Sequence, residues 1–435
     1  MTPFAGIFVP QDLRDAVSDR AWLEAMLEAE RALARACAAV GLVPDEAATR
    51  IAEACRVELY DPESLARDGR AVGNPVEPLV RALREAVGGE AADSVHLGAT
   101  SQDILDTAAM LVASRAGSLV LAELDRLAEA CAELARAHRS TPMVARTLLQ
   151  HAVPTTFGLK AAGWLLGVVE ARRRLAQVFD ERLAAQLGGA AGTLAALGDE
   201  ALEVVRLYAG ELELSEPTLP WHANRQRVAE LGAALDAAAG AAAKVGRDIV
   251  LLAQTEVAEV AEAAPGGSST MPQKRNPVSS TLALACARLA HAHASEILGG
   301  LAHEHERAAG SWHAEWHALS GALAFAGGAA ATGADAVIGL EVDAGRMRAN
   351  LDASGGLALA ERVSFALTPH LGRSQAHEVV AGAARAPSFR AALLADVRTG
   401  LSPEELDALL DPAGYLGAAE QLVDRALEEY EGAGR

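Results

Sequence analysis

The residues with the clearest chemical potential lie in one segment, Gly266 to Pro277, which reads GGSSTMPQKRNP. Its glycines allow the backbone to approach a ligand closely, and its prolines keep a helix from extending through it. Its polar side chains are hydroxyls, which can donate or accept a proton, and groups that bind carboxylates: Ser268, Ser269, Thr270, Lys274, Arg275 and Asn276. The segment predicts an anion-binding catalytic loop, with a polar linker between helices as the alternative.

Lysine usage favours the catalytic interpretation. The chain has 38 lysine and arginine residues, of which only Lys160, Lys244 and Lys274 are lysines. A chain that otherwise uses arginine therefore carries a compact ammonium group in this loop.

A second polar cluster, His96 to Asp103 (HLGATSQD), precedes a helix predicted to begin near Ile104. The hydroxyls of Thr100 and Ser101, together with free N–H groups at the helix N-terminus, could bind a carboxylate. The alternative is an ordinary N-terminal cap.

A third cluster, Arg146 to Gly158 (RTLLQHAVPTTFG), places Arg146, Gln150 and His151 shortly before Pro154. These residue types can bind a carboxylate or transfer a proton. The alternative is a polar turn that contains a buried histidine.

Histidine and glutamate are crowded into a fourth segment, His303 to His317 (HEHERAAGSWHAEWH). Such side chains at helical spacing can chelate a metal ion, but the HExxH pattern is absent and Arg307 would lie among the ligands. We therefore favour a solvated or active-site helix without metal, in which His313 is a candidate catalytic residue.

Helices must position these segments, because Ala, Leu, Glu and Arg dominate the chain and only 4% of its residues are aromatic. We predict an all-α fold. No proline lies between Pro220 and Pro265 or between Pro277 and Pro369, which allows helices of roughly 40 residues. Helices of that length suit a long bundle, and their Ala-rich faces suit contacts between subunits.

Composition restricts the class of protein. A net charge of −20 argues against nucleic acid or an anionic membrane as a partner, and an anionic substrate would need a local cationic pocket. The N-terminus does not resemble a signal peptide. The cysteines match neither a metal pattern nor a disulfide framework, so we expect reduced core thiols in a cytoplasmic protein: Cys37, Cys55, Cys131 and Cys286.

In this order and spacing, the segments resemble the fumarase/aspartase superfamily, whose members have a TSxD region, an RTHxQ-type region and a GSSxMPxKxNP region. Several stretches are similar to its 3-carboxy-cis,cis-muconate cycloisomerase branch: SDRAWLEAMLEAERALARACAAVGLVP at 18–44, GNPVEPLV at 73–80, VHLGATSQDILDT at 95–107, PWHANRQRVAELG at 220–232 and HERAAGSWHAEW at 305–316.

The resemblance implies an all-α subunit with a central long-helix bundle. We place its three domains at residues 1–110, 111–355 and 356–435. It also implies a homotetramer whose active sites combine segments of three subunits.

The resemblance further implies lactonisation of 3-carboxy-cis,cis-muconate to carboxymuconolactone in protocatechuate catabolism, with no metal or organic cofactor. By similarity, Ser269 is the first candidate for the proton donor and Ser268 is its neighbour, with His151 and His313 as rivals. Charge on the intermediate would be stabilised by Lys274. The substrate carboxylates would be bound by a further set of residues: Thr100, Ser101, Arg146, Gln150, Arg275 and Asn276.

Two departures indicate the branch. Related lyases of the adenylosuccinate, argininosuccinate and fumarase kind carry His and Glu where this chain has Leu148 and Thr281. A leucine cannot relay a proton and a threonine cannot replace a carboxylate, so a mechanism that uses this pair is not available. A cycloisomerase needs no such pair, because its nucleophile is a substrate carboxylate that is already ionised.

Two alternatives stay open on the sequence alone. The first is a lyase of the same superfamily that eliminates nitrogen or another leaving group from a succinate-like acid. The second is a non-catalytic, crystallin-like protein, which we would expect to lack the serine or lysine of the loop.

Overall fold

The computed structural model describes residues 4–267 and 270–433, and most of these residues are helical. The predicted all-α class is confirmed. The helices in chain order are α1 (Gln11–Ala16), α2 (Asp19–Ala39), α3 (Asp45–Ala54), α4 (Pro62–Gly69), α5 (Val76–Val87), α6 (Ser101–Ala137), α7 (Phe157–Arg182), α8 (Ala201–Glu211), α9 (Gln226–Leu252), α10 (Val278–Gly299), α11 (Ser311–Val337), α12 (Ala344–Asp352), α13 (Ala360–Leu371), α14 (Arg373–Ala383), α15 (Phe389–Ala395), α16 (Pro403–Leu409) and α17 (Ala419–Ala433).

Two short antiparallel sheets accompany the helices in the described part of the chain. One is a hairpin of β1 (Pro142–Thr147) and β2 (Gln150–Thr156), and the other pairs β3 (Val260–Ala261) with β4 (Glu341–Val342). The β1–β2 hairpin contains most of the polar segment 146–158, and β3 lies shortly before the segment 266–277. The short strands therefore position candidate site residues.

The chain forms two compact units, and each unit is discontinuous in sequence. Unit 1 comprises Met1–Asp125, Glu170–Ala243 and Leu282–Thr332. Unit 2 comprises Arg126–Val169, Lys244–Thr281 and Gly333–Arg435. The polar segments 96–103 and 303–317 therefore belong to unit 1, and the segments 146–158 and 266–277 belong to unit 2.

Helix α2 shows how the sequence builds the core of unit 1. The Ser18 side chain accepts a hydrogen bond from the backbone N–H of Ala21 and caps the helix, as Ser/Thr/Asp/Asn residues commonly do. Its apolar stripe, which includes Leu23, Leu27 and Leu33, is buried and packs against α3 and α8.

Helix α6 contains 37 residues and is apolar enough to cross a membrane by length and composition alone. However, 72% of its most apolar window is buried inside the fold, as expected for a core helix. It begins at Ser101 rather than near Ile104, so the predicted start was about one turn too late.

The predicted helices of roughly 40 residues are not formed in the proline-free stretches. Helix α9 ends at Leu252, and Ala258 in the following turn has φ 50°. Helix α10 ends at Gly299, where two consecutive glycines lower helix propensity. The absence of proline permits a long helix but does not stabilise one, and local turns ended both.

Unit 2 contains a separate C-terminal core formed by α13 to α16, where side chains such as Val363, Leu367 and Leu393 are buried together. Helix α12 packs on β1, and Val144, Leu351 and Ala358 form a small buried cluster there. The hairpin is thus anchored at one end in an apolar core.

All four cysteines are free and buried, which confirms their prediction as core thiols. Burial raises the pKa of the Cys37 thiol to about 11, so this sulfur stays protonated and unreactive near neutral pH.

Candidate active site

The N-terminus of α6 carries the first pair of predicted carboxylate-binding residues. Thr100 lies immediately before the helix, Ser101 is its first residue, and both are half-buried. Within the described residues neither hydroxyl has a hydrogen-bond partner, so both are available to a ligand. The cap is made instead by Asp103, whose Oδ2 accepts the Thr100 N–H at 2.9 Å.

Asp103 connects the N-terminus of α6 to other segments of unit 1. Its fully buried carboxylate also accepts the backbone N–H groups of Gly188 and Gly189, each at 2.9 Å. His222 Nε2 lies 2.6 Å from Asp103 Oδ1. One carboxylate therefore fixes the helix N-terminus, a glycine turn and a histidine relative to each other.

The glycine turn can approach Asp103 only because it lacks side chains. A Cβ at Gly188 would lie 2.7 Å from Pro220 Cβ and 2.8 Å from His222 Cε1. Gly189 has φ +70°, which strains other residues, and its Cβ would lie 2.9 Å from the Gly98 carbonyl oxygen. The residues on either side of Thr100 and Ser101 are thus held by tight packing.

A buried ionic cluster lies one turn further along α6. Arg225 donates to both oxygens of Asp106 at 2.8 and 3.0 Å, and through Nε to both oxygens of Glu315 at 3.1 Å. Trp312 Nε1 donates to Asp106 Oδ1 at 3.0 Å. Burial lowers the pKa of Arg225, but the two carboxylates outweigh burial and raise it, so the guanidinium stays charged. Burial also raises the pKa of Glu315.

Gln102 connects this cluster to the segment 303–317. Its Nε2 donates to the His222 carbonyl at 2.9 Å and to Asp106 at 3.1 Å, and its Oε1 accepts from Arg307 Nε at 3.0 Å. The His303 side chain is buried, and its Nε2 lies 3.2 Å from Glu315 Oε1.

The segment 303–317 is not one helix, which corrects the prediction. Residues 303–310 are irregular and α11 begins only at Ser311. Among the described residues no group of three or more His, Cys, Asp or Glu side chains is arranged to hold a metal ion. His313 lines an apolar cavity of unit 1 beside Trp316.

The hairpin of unit 2 presents an exposed apolar tip. Leu148 and Leu149 form its two-residue turn with φ 50° and 63°, and their side chains are 96% and 71% exposed. Gln150 and His151 follow the turn and are exposed as well. The alternative of a buried histidine in this segment is therefore wrong.

Arg146, which was predicted to bind a substrate carboxylate, pairs with an acid of the protein in this structure. Its guanidinium donates two hydrogen bonds of 2.8 Å to Glu259, whose side chain is fully buried. Asn350 Nδ2 donates to the same carboxylate at 2.9 Å. Because Glu259 immediately precedes β3, this pair ties the hairpin to the strand that leads into the loop. Arg146 therefore has a structural partner here, and its binding to a substrate carboxylate stays a prediction.

The predicted catalytic loop is closed at its base by two backbone hydrogen bonds between Gly266 and Asn276, of 2.9 and 3.1 Å. Lys274 lies in the exposed part of the loop. Ser268 and Ser269, the first candidates for the proton donor, lie outside the described residues. A side chain at Gly266 would require Val278 to move, because its Cβ would lie 2.2 Å from Val278 Cγ2.

Arg275 was also predicted to bind substrate, and the structure gives it another partner. Its guanidinium donates to both oxygens of Glu341 at 2.8 and 2.9 Å, and to the Glu262 carbonyl at 3.2 Å. This exposed pair links the end of the loop to β4. Lys274 is the other cationic group in the described part of this loop, and it is exposed.

The N-terminus of α10, directly after the loop, is occupied by the protein itself. Glu262 accepts the backbone N–H groups of Ser279 and Ser280 at 3.1 and 2.8 Å and the Ser280 hydroxyl at 2.6 Å. Thr281 donates its hydroxyl to the Pro277 carbonyl at 2.7 Å. Thr281, which replaces the glutamate of related lyases, is therefore engaged in its own helix.

Sequence reasoning missed the buried acids and their partners, including Asp103, Asp106 and Glu259. Most of them occur inside stretches that carry the family resemblance, at 95–107, 220–232 and 305–316. Charged residues within otherwise apolar helices were the available signal, since such residues are buried only when paired.

A sequence profile of the lyase family matches residues 9–290. The chain belongs to this family. A profile of the adenylosuccinate lyase C-terminus matches residues 356–426. These matches confirm the superfamily resemblance found in the polar segments.

Three similar proteins indicate candidate activities within this family. The chain is 51% identical to nitrosuccinate lyase of Streptomyces davaonensis, over 95% of this chain and 91% of the relative. It is 47% identical to 3-carboxy-cis,cis-muconate cycloisomerase of Bradyrhizobium diazoefficiens, over 96% of each chain. The crystal structure of 3-carboxy-cis,cis-muconate lactonizing enzyme from Pseudomonas putida matches with a TM-score of 0.93 at 43% identity, over 100% of both chains.

Proposed function

We propose that this enzyme lactonises 3-carboxy-cis,cis-muconate to carboxymuconolactone. The observation that carries the proposal is the match to cycloisomerases of that name, at 43 to 47% identity over at least 93% of the chain. Leu148 and Thr281 support it, because a reaction whose nucleophile is a substrate carboxylate does not need the His and Glu that they replace.

The reaction rearranges bonds without loss of atoms. A carboxylate oxygen of the substrate forms a C–O bond to one alkene carbon, and the electron pair of the C=C bond moves toward the neighbouring carboxylate as an aci-carboxylate. A proton then adds to the carbon between them. The enzyme must stabilise the added negative charge and deliver that proton.

We assign charge stabilisation to Lys274 and Asn276, since the ammonium of Lys274 is exposed in the loop while the neighbouring Arg275 is paired with Glu341. Ser269 is the proposed proton donor, with Ser268, His151 and His313 as alternatives. Thr100 and Ser101 are proposed to bind other carboxylates through their free hydroxyls, with Gln150 at the hairpin.

A second candidate function is elimination of nitrite from nitrosuccinate, favoured by the 51% identity to nitrosuccinate lyase. In that reaction a proton leaves the carbon beside a carboxylate, the same kind of aci-carboxylate forms, and expulsion of nitrite yields fumarate. Both reactions place negative charge where Lys274 and the loop can stabilise it, so the loop alone does not separate them.

The two functions are separated by supplying both substrates to one purified preparation. Loss of diene absorbance measures lactonisation, and release of nitrite and fumarate measures elimination. We expect kcat/KM for the muconate to exceed that for nitrosuccinate by at least a hundredfold, without added metal and unchanged by EDTA. A ratio in the opposite direction assigns the enzyme to elimination, and fumarate release from adenylosuccinate or argininosuccinate at comparable rates contradicts both assignments.

We further propose a homotetramer in the cytoplasm, with active sites built from segments of three subunits. The resemblance to the fumarase/aspartase superfamily, which implies such shared sites, supports this proposal. Size-exclusion chromatography with light scattering should give about four subunits, whereas an active monomer would contradict the shared-site arrangement.

A further inference from the structure

Unit 1 contains a cavity of about 580 Å³ that is lined by none of the proposed carboxylate-binding residues, although His313, an alternative proton donor, borders it. It is bordered by the segment from Ala5 to Met26, by α4 and by the facing sides of α10 and α11. Most of its wall is apolar or aromatic, with the rings of Trp22, Trp316 and Phe325. Thr100 and Ser101 are not part of this wall.

The histidines in the cavity wall are held by close packing. The ring of His293 stacks on Phe325, with centroids 5.8 Å apart and planes 6° apart, and meets His317 edge to face at 5.4 Å. Gly321 makes room for it, since a Cβ there would lie 2.4 Å from the His293 ring. Burial, with His317 nearby, lowers the pKa of His293, so its ring is neutral near pH 7.

Two arginines line the cavity, and Arg14, whose Nη2 donates to Gln11 Oε1, is the less exposed of them. Arg14 lines it, and within the described residues its Nε is buried and has no hydrogen-bond partner. A buried polar group without a partner destabilises the fold, and an anionic ligand bound to this guanidinium would offset that cost. Arg20 also lines the cavity, but its guanidinium pairs with Glu58 at 2.9 Å and is exposed.

The remaining acid of the wall, Asp19, is exposed on the first turn of α2. One unsatisfied arginine beside flat apolar walls therefore suits a ligand with a single carboxylate and a planar apolar body. A tricarboxylate does not match this wall, because three negative charges would have to be desolvated against mostly apolar surface.

We propose that this cavity binds an aromatic monocarboxylate, with its ring between the histidine and tryptophan side chains and its carboxylate at Arg14. Thr100 and Ser101 at the start of α6 do not line the cavity, whereas Leu105 further along the helix does. It does not depend on which of the two reactions the enzyme catalyses.

The probes are 3-phenylpropanoate and its uncharged amide, and their binding to the full-length enzyme is measured by calorimetry and by the change in tryptophan fluorescence. We expect the acid to bind at least tenfold more tightly than the amide. Arg14→Gln should weaken binding of the acid at least tenfold, and the matched control Arg20→Gln should change it less than twofold. Ser101→Ala should leave binding unchanged.

A cavity-filling variant tests the location without altering charge. Ala324 lines the cavity and is nearly buried, so Ala324→Leu should occupy ligand space and weaken binding of both probes. Thermal unfolding confirms that each variant is folded. No binding of the acid at 10 mM, equal binding of acid and amide, or equal losses in the two arginine variants would each overturn the proposal.

Discussion

The two units use the same kinds of charged residue in opposite environments. In unit 1, Arg225 pairs with Asp106 and Glu315, and all three side chains are at most 5% exposed. In unit 2, Arg275 pairs with Glu341 beside the loop, and both side chains are about half exposed. The first group is sealed inside the fold, whereas the second lies where solvent and ligands reach it.

This difference separates residues that build the site from residues that can act in it. Removing one partner of a buried ion pair leaves an uncompensated charge and costs about 3 to 5 kcal/mol, whereas an exposed pair contributes about 0 to 1 kcal/mol. Mutations in the buried cluster should therefore change stability, and mutations in the loop should change turnover.

The largest effect should follow Arg225→Ala. The substitution leaves Asp106 and Glu315 buried without their cation, so the free energy of unfolding should fall by about 3 to 5 kcal/mol in urea denaturation. The matched control is Arg275→Ala, which should lower it by less than about 1 kcal/mol. Similar losses in both variants would show that burial does not distinguish the two regions.

The loop variants should show the reverse behaviour. Ser269→Ala should lower kcat by about 10²- to 10³-fold with little change in KM if the hydroxyl acts only in the transition state. Lys274→Ala should impair both kcat and KM, because the ammonium also binds the ground-state carboxylate. Circular dichroism checks folding, and near-normal turnover of Ser269→Ala would move the search for the proton donor to His151 and His313.

A smaller effect is expected from restoring the missing pair, as Leu148→His with Thr281→Glu. The new carboxylate is placed near a binding site for a polyanion, so we expect lactonisation to fall by about tenfold, equivalent to about 1.4 kcal/mol. Steady-state kinetics of the folded double variant test this. Unchanged turnover would place both positions away from the reacting atoms and remove the mechanistic meaning of the two replacements.

The smallest effect should be on the pH dependence of stability, through His96 in the segment before α6. Burial lowers the pKa of His96, but Glu30, whose Oε1 lies 2.5 Å from His96 Nδ1, outweighs burial and raises it. Stability from this pair is therefore fully present below the unfolded pKa of about 6.5 and is lost as pH rises through the folded pKa.

His96→Asn removes the titrating ring, and Asn tolerates the positive φ of this position. The difference in free energy of unfolding between wild type and variant should be larger at pH 6 than at pH 9. Glu30→Gln in the wild-type background should reduce the same pH dependence. A difference that grows with pH would contradict the assigned direction.

Short stretches of sequence were enough to predict several local features of the fold and of the loop. The Ser18 cap and the apolar stripe of α2, the buried free thiols and the loop between Gly266 and Asn276 could all be predicted from neighbouring residues. Each of these features depends on residues a few positions apart. The limits of helices α9 and α10 were harder to predict, because turns inside proline-free stretches ended them.

The sequence by itself determined the helical class, the family and the presence of Lys274 in a loop without the usual His and Glu partners. Only the tertiary structure decided which charged groups are free. Arg146 pairs with Glu259 across 113 residues, and Asp103 accepts the N–H of Gly188 across 85 residues. Charge and spacing along the chain show what an arginine can bind, but its partner is the carboxylate that folding buries beside it.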